Sequence, residues 1–173
     1  MSHEPNWDIL VVGGTVLTME PDSEPIKNGA VAVADGKIAA VGPAEELLEV
    51  GQPGDVLNAG NCLVLPGLVN THSHLAMTLL RGIADDLPLM QWLEGHIWPV
   101  EKEHMNRETI RLGTELAAAE HLLGGVTTTT DMYFFGDEVS AVLADAGMRA
   151  VVAESLIGFA TPRCATTEEM LEK

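Results

Sequence analysis

The amino-acid sequence predicts an α/β fold in which a small antiparallel β module precedes a series of βα units. Three observations support this prediction. Residues 1–65 contain short apolar runs separated by turn signals. Residues 66–173 alternate apolar strand patterns with helical patterns. Finally, 46% of the 173 residues are apolar and 20% are charged, which is enough apolar material for a packed core.

Short apolar runs make up the β module. The Gly13-Gly14 pair lies between two of these runs and predicts a hairpin, and Asp35-Gly36 predicts a second tight turn. The predicted strands are residues 8–12, 15–19, 30–34, 37–41, 56–57 and 62–65, with a short acidic helix at residues 44–50. We expect the strands to form a small antiparallel sheet without catalytic residues.

Strand and helix patterns alternate after residue 65. The predicted strands are residues 63–69, 126–130 and 149–156, and the predicted helices are residues 89–98, 106–123, 137–146 and a last helix after Thr166. Asn106 is expected to cap the second helix and Gly124-Gly125 to end it. The first strand is apolar on both faces, so we expect it to be buried on both faces of a parallel sheet.

Residues 66–173 are too few for the roughly 250 residues of an eight-stranded barrel. Thr166 and Glu169 form a capping-box pattern that opens a helix, and the sequence ends at Lys173. We therefore interpret residues 66–173 as the first three βα units of a truncated (β/α)8, or TIM, barrel. An open three-stranded sheet is the alternative.

The charge balance limits the classes of partner. Nine basic residues against 26 acidic ones give a net charge of -17, which repels nucleic-acid phosphates and anionic membranes. We therefore expect a small-molecule substrate and neither nucleic acid nor membrane as a partner; a homo-oligomer is compatible with this composition. The first residues contain no basic, apolar leader, and Cys62 and Cys164 fit reduced thiols, so a cytoplasmic location is expected.

The strongest chemical signal is Thr71-His72-Ser73-His74, directly after the first strand of the βα region. Residues two apart in an extended strand point to the same side, so the two imidazoles project together. They lie at the carboxyl end of the strand, where barrel enzymes place their catalytic groups. Because imidazole binds zinc and ferrous iron well, His72 and His74 are predicted to be metal ligands. A pair of exposed loop histidines is the alternative.

A catalytic metal needs more ligands than these two histidines provide. His3 lies near the N-terminus, and His96, His104 and His121 lie in or near predicted helices, where packed or solvated side chains are expected. We therefore expect the remaining ligands to lie outside these 173 residues.

Several motifs together carry a family resemblance. They are PGLVNTHSH at residues 66–74, MTLLRG at 77–82, DDL at 85–87, QWL at 91–93, WPVE at 98–101 and TDMYF at 130–134. The first two resemble the first barrel strand and following loop of the amidohydrolase superfamily. Within that superfamily, the sequence is most similar to the methylthioadenosine/S-adenosylhomocysteine deaminase group, from about Trp7 to the end of the chain.

This resemblance implies a fold and a reaction. Residues 1–65 would form part of a small β-sandwich that strands near the C-terminus of the family's longer chains complete. His72 and His74 would bind one divalent metal, zinc in preference to iron, together with later histidines and an aspartate. The metal lowers the pKa of a water molecule, which attacks C6 of an adenine ring and releases ammonia. The implied enzyme hydrolyses C–N bonds of cyclic amidines in 5′-methylthioadenosine, adenosine or S-adenosylhomocysteine.

Glu101 and Trp92 match substrate-binding positions of this group. Glu101 corresponds to the glutamate that binds ribose hydroxyls, and a carboxylate can accept two hydrogen bonds from such a diol. The alternative is a solvated acid of the charged cluster at residues 101–103. Trp92 corresponds to a tryptophan of the purine pocket, and the alternative is a core aromatic side chain. Asp131, at the end of a predicted strand, is left without an assigned role.

One position departs from the group. Glu154 stands where relatives that bind the homocysteine moiety have an arginine directed at its carboxylate, and a glutamate there would repel that group. Arg163 in the next loop is a candidate for compensating this charge. We therefore predict a preference for 5′-methylthioadenosine or adenosine over S-adenosylhomocysteine.

Three alternatives remain open. A triazine chlorohydrolase would share the fold and the two histidines, although a triazine has no ribose diol for Glu101. A non-enzymatic remnant would bind metal weakly or serve as an interaction module. A nucleotide-binding α/β protein has the least support, since no GxGxxG motif accompanies Gly13-Gly14.

Overall fold

The structure is a computed structural model that describes residues 6–172, so His3 and Lys173 lie outside the described residues. The chain divides into two compact units at the boundary between Pro66 and Gly67. No helix among residues 6–172 is long and apolar enough to cross a lipid bilayer.

The first unit contains one mixed five-stranded sheet and one helix. Its elements are β1 Asn6–Val16, β2 Ile26–Ala34, β3 Lys37–Pro43, α1 Ala44–Val50, β4 Gln52–Asn58 and β5 Leu63–Val64. The strand order is β3-β2-β1-β4, and β5 also pairs with β1. Asp35 and Gly36 both have positive φ, at 52° and 68°, as a tight primed turn between β2 and β3 requires.

The predicted hairpin at Gly13-Gly14 is wrong, because β1 continues through both glycines. Gly13 has a φ of 86°, and the register of β1 against β2 shifts between Val12 and Gly14, so the glycines form an irregularity within the strand. A Cβ on Gly14 would lie 3.0 Å from the carbonyl oxygen of Cys62. The glycine therefore permits a close approach of two chain segments instead of a reversal of direction.

The expectation of a wholly antiparallel sheet is also wrong. The pairs β1–β2 and β2–β3 are antiparallel, but β4 and β5 both run parallel to β1. Helix α1 follows β3 and acts as a crossover connection, which returns the chain to the end of the sheet at which β1 starts. All strands of residues 6–66 belong to this single sheet, so a sandwich remains a prediction.

One face of this sheet packs against α1. The buried apolar residues on that side are Trp7, Leu10, Ala30, Ala32, Ala44 and Leu47. Ile38 and Leu63 remain largely exposed, with 67% and 63% of their surface accessible. Ile38 lines an open groove of about 480 Å³, whose walls are mainly apolar side chains of residues 16–66.

The second unit is built from three βα units. Its elements are β6 Leu68–Ser73, a 3-10 helix Leu75–Leu80, α2 Leu89–Trp92, a π-helical segment Leu93–Ile97, α3 Trp98–His104, α4 Arg107–Leu123, β7 Val126–Tyr133, α5 Gly136–Asp145, β8 Arg149–Glu154 and α6 Thr167–Leu171. The strands form a parallel sheet in the order β6-β7-β8. This arrangement confirms the predicted α/β class.

The predicted ends of α4 and the start of α6 are confirmed. The Asn106 side chain accepts hydrogen bonds from the backbone of Glu108 and Thr109, and the Thr109 side chain completes the capping box. The chain leaves α4 through Gly124 and Gly125, as predicted. Local side-chain chemistry of this kind fixes helix ends without help from the rest of the fold.

The core of the second unit lies between the sheet and the helices that follow its strands. Its buried members are Leu75, Ala76, Met105, Ile110, Ala117, Ala118, Tyr133, Phe134, Val139, Leu143 and Met148. The expectation that the first strand is buried on both faces is wrong here, since Leu68 and Val69 are 49% and 59% exposed. β6 pairs with only one strand, β7, among the described residues, and therefore lies at an edge of this sheet.

Candidate metal and substrate site

His72 and His74 lie together at the carboxyl end of β6. His72 belongs to the strand and His74 follows it, and their ring centroids are 5.2 Å apart in an edge-on arrangement. The extended backbone of β6 directs both imidazoles to the same side, as the alternation of side chains in a strand requires.

A hydrogen bond from the neighbouring strand sets the orientation of His74. Its Nδ1 lies 2.6 Å from the carbonyl oxygen of Met132 in β7. A carbonyl oxygen only accepts hydrogen bonds, so Nδ1 carries the proton and Nε2 keeps its lone pair. Metal-binding histidines are commonly held in this way, and the donor set therefore fits a metal.

Asp131 lies behind the two histidines and is fully buried. Its Oδ1 accepts hydrogen bonds from the backbone N–H of Leu75 at 2.6 Å and from the Ser73 hydroxyl at 3.3 Å. Its Oδ2 is buried without a hydrogen-bond partner among the described residues. Burial raises the pKa of Asp131, while these hydrogen bonds and the nearby His74 act in the opposite direction.

The other described histidines do not join this pair. Among residues 6–172, no group of three or more His, Cys, Asp or Glu side chains is arranged to hold a metal ion. His121 Nδ1 contacts the Ala117 carbonyl oxygen at 2.9 Å, and its Nε2 contacts the Asn70 amide at 3.0 Å. His104 lies 3.8 Å from Glu103 at an exposed position.

Glu101 is buried, with 5% of its surface exposed, which argues against the solvated acid considered above. The Tyr133 hydroxyl donates a hydrogen bond of 2.5 Å to its Oε1. Burial raises the pKa of Glu101, whereas the hydrogen bond from Tyr133 and the proximity of His74 lower it. The Tyr133 ring also lies 5.9 Å from the His74 ring, so Tyr133 connects Glu101 to the histidine pair.

A cleft of about 200 Å³ opens beside Glu101. Trp98 and Phe159 form an aromatic pair in its wall, with ring centroids 4.8 Å apart. The remaining lining residues are Lys102, Phe134, Ile157, Ala160, Thr161 and Pro162. Trp92 does not line this cleft; it is half-buried, and its Nε1–H donates to the Ile83 carbonyl oxygen at 3.4 Å.

Helical geometry changes between the two tryptophans. The segment Leu93–Ile97 is π-helical, and it joins α2, which carries Trp92, to α3, which carries Trp98 and Glu101. A π-helical turn inside an α-helix is frequent at functional sites. The role of Trp92 in a purine pocket stays a prediction.

Sequence reasoning missed Tyr133, Trp98 and Phe159. Tyr133 had a usable signal, because it ends β7 as His72 and His74 end β6, and the carboxyl ends of neighbouring parallel strands meet at one edge of the sheet. No sequence signal identified Phe159, because it lies in a loop after β8 and reaches Trp98 only through the tertiary fold.

The carboxylate of Glu154 is already engaged within the protein. Its oxygens accept hydrogen bonds from the backbone N–H of Phe135 at 3.2 Å and of Gly136 at 2.9 Å, at the N-terminus of α5. Arg163 donates to the same carboxylate at 2.6 Å and pairs with Asp137 at 3.0 Å. Arg163, the residue considered above for compensating the charge of Glu154, therefore does so, and repulsion of a substrate carboxylate by Glu154 loses its basis.

A family model described as the amidohydrolase family matches residues 63–172. The chain belongs to the amidohydrolase family. A second model, an imidazolonepropionase-like composite domain of bacteria, matches residues 29–49. The amidohydrolase match includes β6, β7 and β8 and all of the candidate site residues.

Several proteins to which this chain is similar are named as deaminases. A 5-methylthioadenosine/S-adenosylhomocysteine deaminase of Syntrophobacter fumaroxidans is 49% identical over 95% of this chain and 37% of its own length. A 5′-deoxyadenosine deaminase of Methanosarcina barkeri is 45% identical over 87% of this chain and 34% of its own length. A crystal structure of a zinc-bound adenosine deaminase from Xanthomonas campestris has a TM-score of 0.92 and 41% identity, over 96% of this chain and 38% of that one. The chain thus spans little more than a third of each relative.

Proposed function

We propose that this chain forms part of a metal-dependent hydrolytic deaminase of an adenine nucleoside. The observation that carries this proposal is the connection between the two candidate subsites. His74, one of two imidazoles at the end of β6, packs near Tyr133, and Tyr133 holds the buried carboxylate of Glu101. A metal-ligand pair therefore lies beside a carboxylate suited to a substrate diol.

The proposed architecture is a (β/α)8 barrel in which β6, β7 and β8 are the first three strands. The parallel order β6-β7-β8 and the position of the histidines at the carboxyl end of β6 support this assignment. The first unit is proposed to be part of a β-sandwich, which its exposed apolar sheet face supports.

We propose that His72 and His74 would hold one divalent cation, zinc in preference to iron. The zinc in the related Xanthomonas structure supports this choice of metal. A bound divalent cation supplies Lewis acidity, which makes water a stronger nucleophile near neutral pH. The protein's own contribution is the fixed tautomer of His74, which keeps Nε2 available.

Glu101 is proposed to orient the nucleoside through its ribose hydroxyls. Tyr133 occupies one lone pair of Oε1, so Oε2 and the remaining lone pair of Oε1 stay available to accept hydrogen bonds from a diol. Because the carboxylate is buried, few water molecules can form hydrogen bonds to it, and the hydroxyls of a bound ribose would supply these bonds. A substrate without the diol would leave the carboxylate oxygens without them, at a cost in binding free energy.

The 5′ substituent is proposed to lie against the Trp98–Phe159 pair, which favours an apolar group such as a methylthio group or a 5′-methyl group. Arg163 is engaged by Glu154 and Asp137, so it is not free to bind an amino-acid carboxylate. We therefore propose 5′-methylthioadenosine, 5′-deoxyadenosine or adenosine as substrates in preference to S-adenosylhomocysteine. The names of the two relatives described above include 5-methylthioadenosine and 5′-deoxyadenosine, and the first name also includes S-adenosylhomocysteine, so the order of preference rests on the aromatic pair and on Arg163.

Ammonia release tests this proposal. The complete product of the gene that encodes this chain is loaded with zinc and supplied separately with 5′-methylthioadenosine, 5′-deoxyadenosine, adenosine, S-adenosylhomocysteine and a triazine. We expect release from the nucleosides, with kcat/KM for 5′-methylthioadenosine at least about tenfold above that for S-adenosylhomocysteine, the discrimination expected from about 1.4 kcal/mol. Release from the triazine alone would contradict the nucleoside assignment, and a reversed preference would contradict the role of the aromatic pair.

We also propose a cytoplasmic location. Cys62 and Cys164 are both free thiols, and Cys62 is exposed. Thiols in this state fit a reducing compartment.

A further inference from the structure

A fully buried carboxylate, Asp131, has no role in the function proposed above. It lies in β7 next to β6, and the register of the two strands places it beside Ser73. Ser73 stands between His72 and His74 in the chain, and Leu75 follows His74 directly. Both of the hydrogen bonds that Asp131 accepts therefore come from residues that flank His74.

These two hydrogen bonds restrict the backbone that carries the histidines. Leu75 opens the 3-10 helix Leu75–Leu80, and its N–H, at 2.6 Å from Oδ1, has Asp131 as its acceptor. The single proton of the Ser73 hydroxyl is shared between Asp131 Oδ1 at 3.3 Å and the closer Thr130 carbonyl oxygen at 2.8 Å, and the hydroxyl oxygen also lies 3.1 Å from Thr129 Oγ1. This turn is therefore held by β7 over several residues. A hydrogen bond to a carboxylate is about twice as strong as one between neutral groups.

The position of Asp131 is unfavourable for stability alone. Its Oδ2 is buried without a hydrogen-bond partner among residues 6–172, and an unpaired buried polar atom costs about 1–3 kcal/mol. An asparagine would offer the same Oδ1 acceptor without a buried charge. The carboxylate therefore differs from such an amide by the negative charge that it adds close to the neighbouring imidazoles.

We propose that Asp131 is the positioning residue of the His72–His74 pair: through Ser73 and Leu75 it fixes the turn that aims both imidazoles at one metal ion, and its buried charge favours a cation at that point. This inference rests on the metal site of the proposed function. β7 thus supports His74 from two sides, with the Asp131 carboxylate on its backbone and the Met132 carbonyl on its ring.

Zinc affinity of the complete gene product tests the proposal, measured by competition with a chromogenic chelator. Asp131→Ala and Asp131→Ser both lose the bond to Leu75, because neither side chain reaches that N–H. We expect zinc binding to weaken about 10- to 100-fold, the usual effect of removing a group that supports metal ligands. Asp131→Asn keeps the Oδ1 acceptor. We therefore expect this variant to preserve the turn but to retain only part of the zinc affinity.

Cobalt substitution supplies a readout that loss of stability alone does not change. The visible spectrum of bound cobalt(II) reports ligand geometry, and we expect its bands to shift or weaken in Asp131→Ala and Asp131→Ser. Val139→Ala is the matched control, since Val139 is equally buried, in α5, and its apolar side chain cannot form a hydrogen bond to the turn. It should lower the melting temperature while leaving zinc affinity and the cobalt spectrum unchanged.

Two outcomes would overturn the inference. In one, folded Asp131→Ala or Asp131→Ser binds zinc within about threefold of wild type, that is within about 0.7 kcal/mol, with an unchanged cobalt spectrum. In the other, wild type binds no zinc, which overturns the proposed function as well. Wild type that binds zinc but deaminates no nucleoside would refute the proposed function alone, because the effect of Asp131 on affinity would still be measured.

Discussion

Two neighbouring glutamates in α3 show how burial distinguishes a candidate site residue from a solvated one. The side chain of Glu103 is 76% exposed, and its Oε1 lies 3.8 Å from Nε2 of His104. Glu101, two residues earlier, is 5% exposed and receives a hydrogen bond from Tyr133. The same residue type in the same helix therefore has two different environments, and the buried one is the environment of the proposed ribose-binding residue.

Glu101→Gln should weaken recognition of the nucleoside. The glutamine keeps the size of the side chain but replaces a charged acceptor with a neutral amide, and a hydrogen bond to a charged group contributes about 1.5–3 kcal/mol. We expect kcat/KM for 5′-methylthioadenosine to fall about 10- to 100-fold, mainly through KM. Glu103→Gln is the matched control and should leave both constants unchanged. An unaffected KM in Glu101→Gln would remove the support for a ribose-binding role.

The pH dependence of KM should report the same carboxylate. Burial raises the pKa of Glu101 above the 4.5 of an ordinary glutamate, so its proton returns at a higher pH than that of a solvated acid. Protonation turns one of its oxygens from a strong hydrogen-bond acceptor into a donor. We therefore expect KM to rise as the pH falls towards this raised pKa, measured in steady-state assays between pH 5 and 8. In Glu101→Gln this rise should disappear, and its persistence would assign it to another group.

At the scale of elements, β7 connects the parts of the candidate site. Three consecutive residues at its carboxyl end contact the two candidate subsites: Asp131 holds the turn after β6, Met132 orients His74, and Tyr133 holds Glu101. Side chains alternate along a strand, so Asp131 and Tyr133 share one face while Met132 acts through its backbone.

Helix α4 approaches the turn after His74 closely because it has a glycine at the contact. A Cβ on Gly113 would lie 2.4 Å from the carbonyl oxygen of Ala76 and 2.9 Å from its Cα. Gly113→Ala should therefore lower the free energy of unfolding by about 1–3 kcal/mol, the usual cost of overpacking, although alanine favours helices. Urea unfolding of the complete gene product measures this change.

Gly95 provides the matched control for Gly113. It lies in the π-helical segment, and a Cβ there would meet no atom within 4 Å. Gly95→Ala should leave the free energy of unfolding unchanged or raise it by up to about 1 kcal/mol. If Gly113→Ala and Gly95→Ala destabilised the protein equally, the contact with Ala76 would not be the cause of the lower free energy of unfolding of Gly113→Ala.

Elements defined by local chemistry could be predicted, whereas strand pairing could not. The Asn106 cap and the Gly124-Gly125 exit fix α4 through contacts within a few residues, and both follow from the sequence. The Gly13-Gly14 pair permits a turn or a strand irregularity equally well, and the choice depends on the approach of the segment at Cys62, far along the chain. Parallel pairing of β4 with β1 depends in the same way on the crossover through α1.

The same distinction between local chemistry and tertiary contacts applies to the candidate site. His72 and His74 could be identified because their spacing within one strand is enough to bring them together. The contact between Glu101 and Tyr133 joins residues from α3 and β7, and no sequence pattern specifies it. The sequence identified Arg163 only as a candidate partner of Glu154, because the contact between them is formed by the tertiary fold.

At the scale of the whole molecule, the metal is expected to contribute to stability as well as to chemistry. A ligand that binds only the folded state at about 100 times its Kd adds about 2.7 kcal/mol to the free energy of unfolding. Removal of zinc by a chelator should therefore lower the melting temperature of the complete gene product, followed by calorimetry. His72→Ala and His74→Ala should have low melting temperatures that the chelator no longer changes. An equal chelator effect in these variants would place the metal elsewhere.

The π-helical segment Leu93–Ile97 has a further consequence for the helix that contains it. An α-helix turns by about 100° per residue, so the extra residue of a π turn rotates everything after it by about that angle. Trp98 and Glu101 thus face a direction that an uninterrupted helix from Trp92 would not give them. Deletion of Gly95 would restore the ordinary phase of the helix, keep its length almost unchanged, and swing the Glu101 carboxylate out of reach of Tyr133.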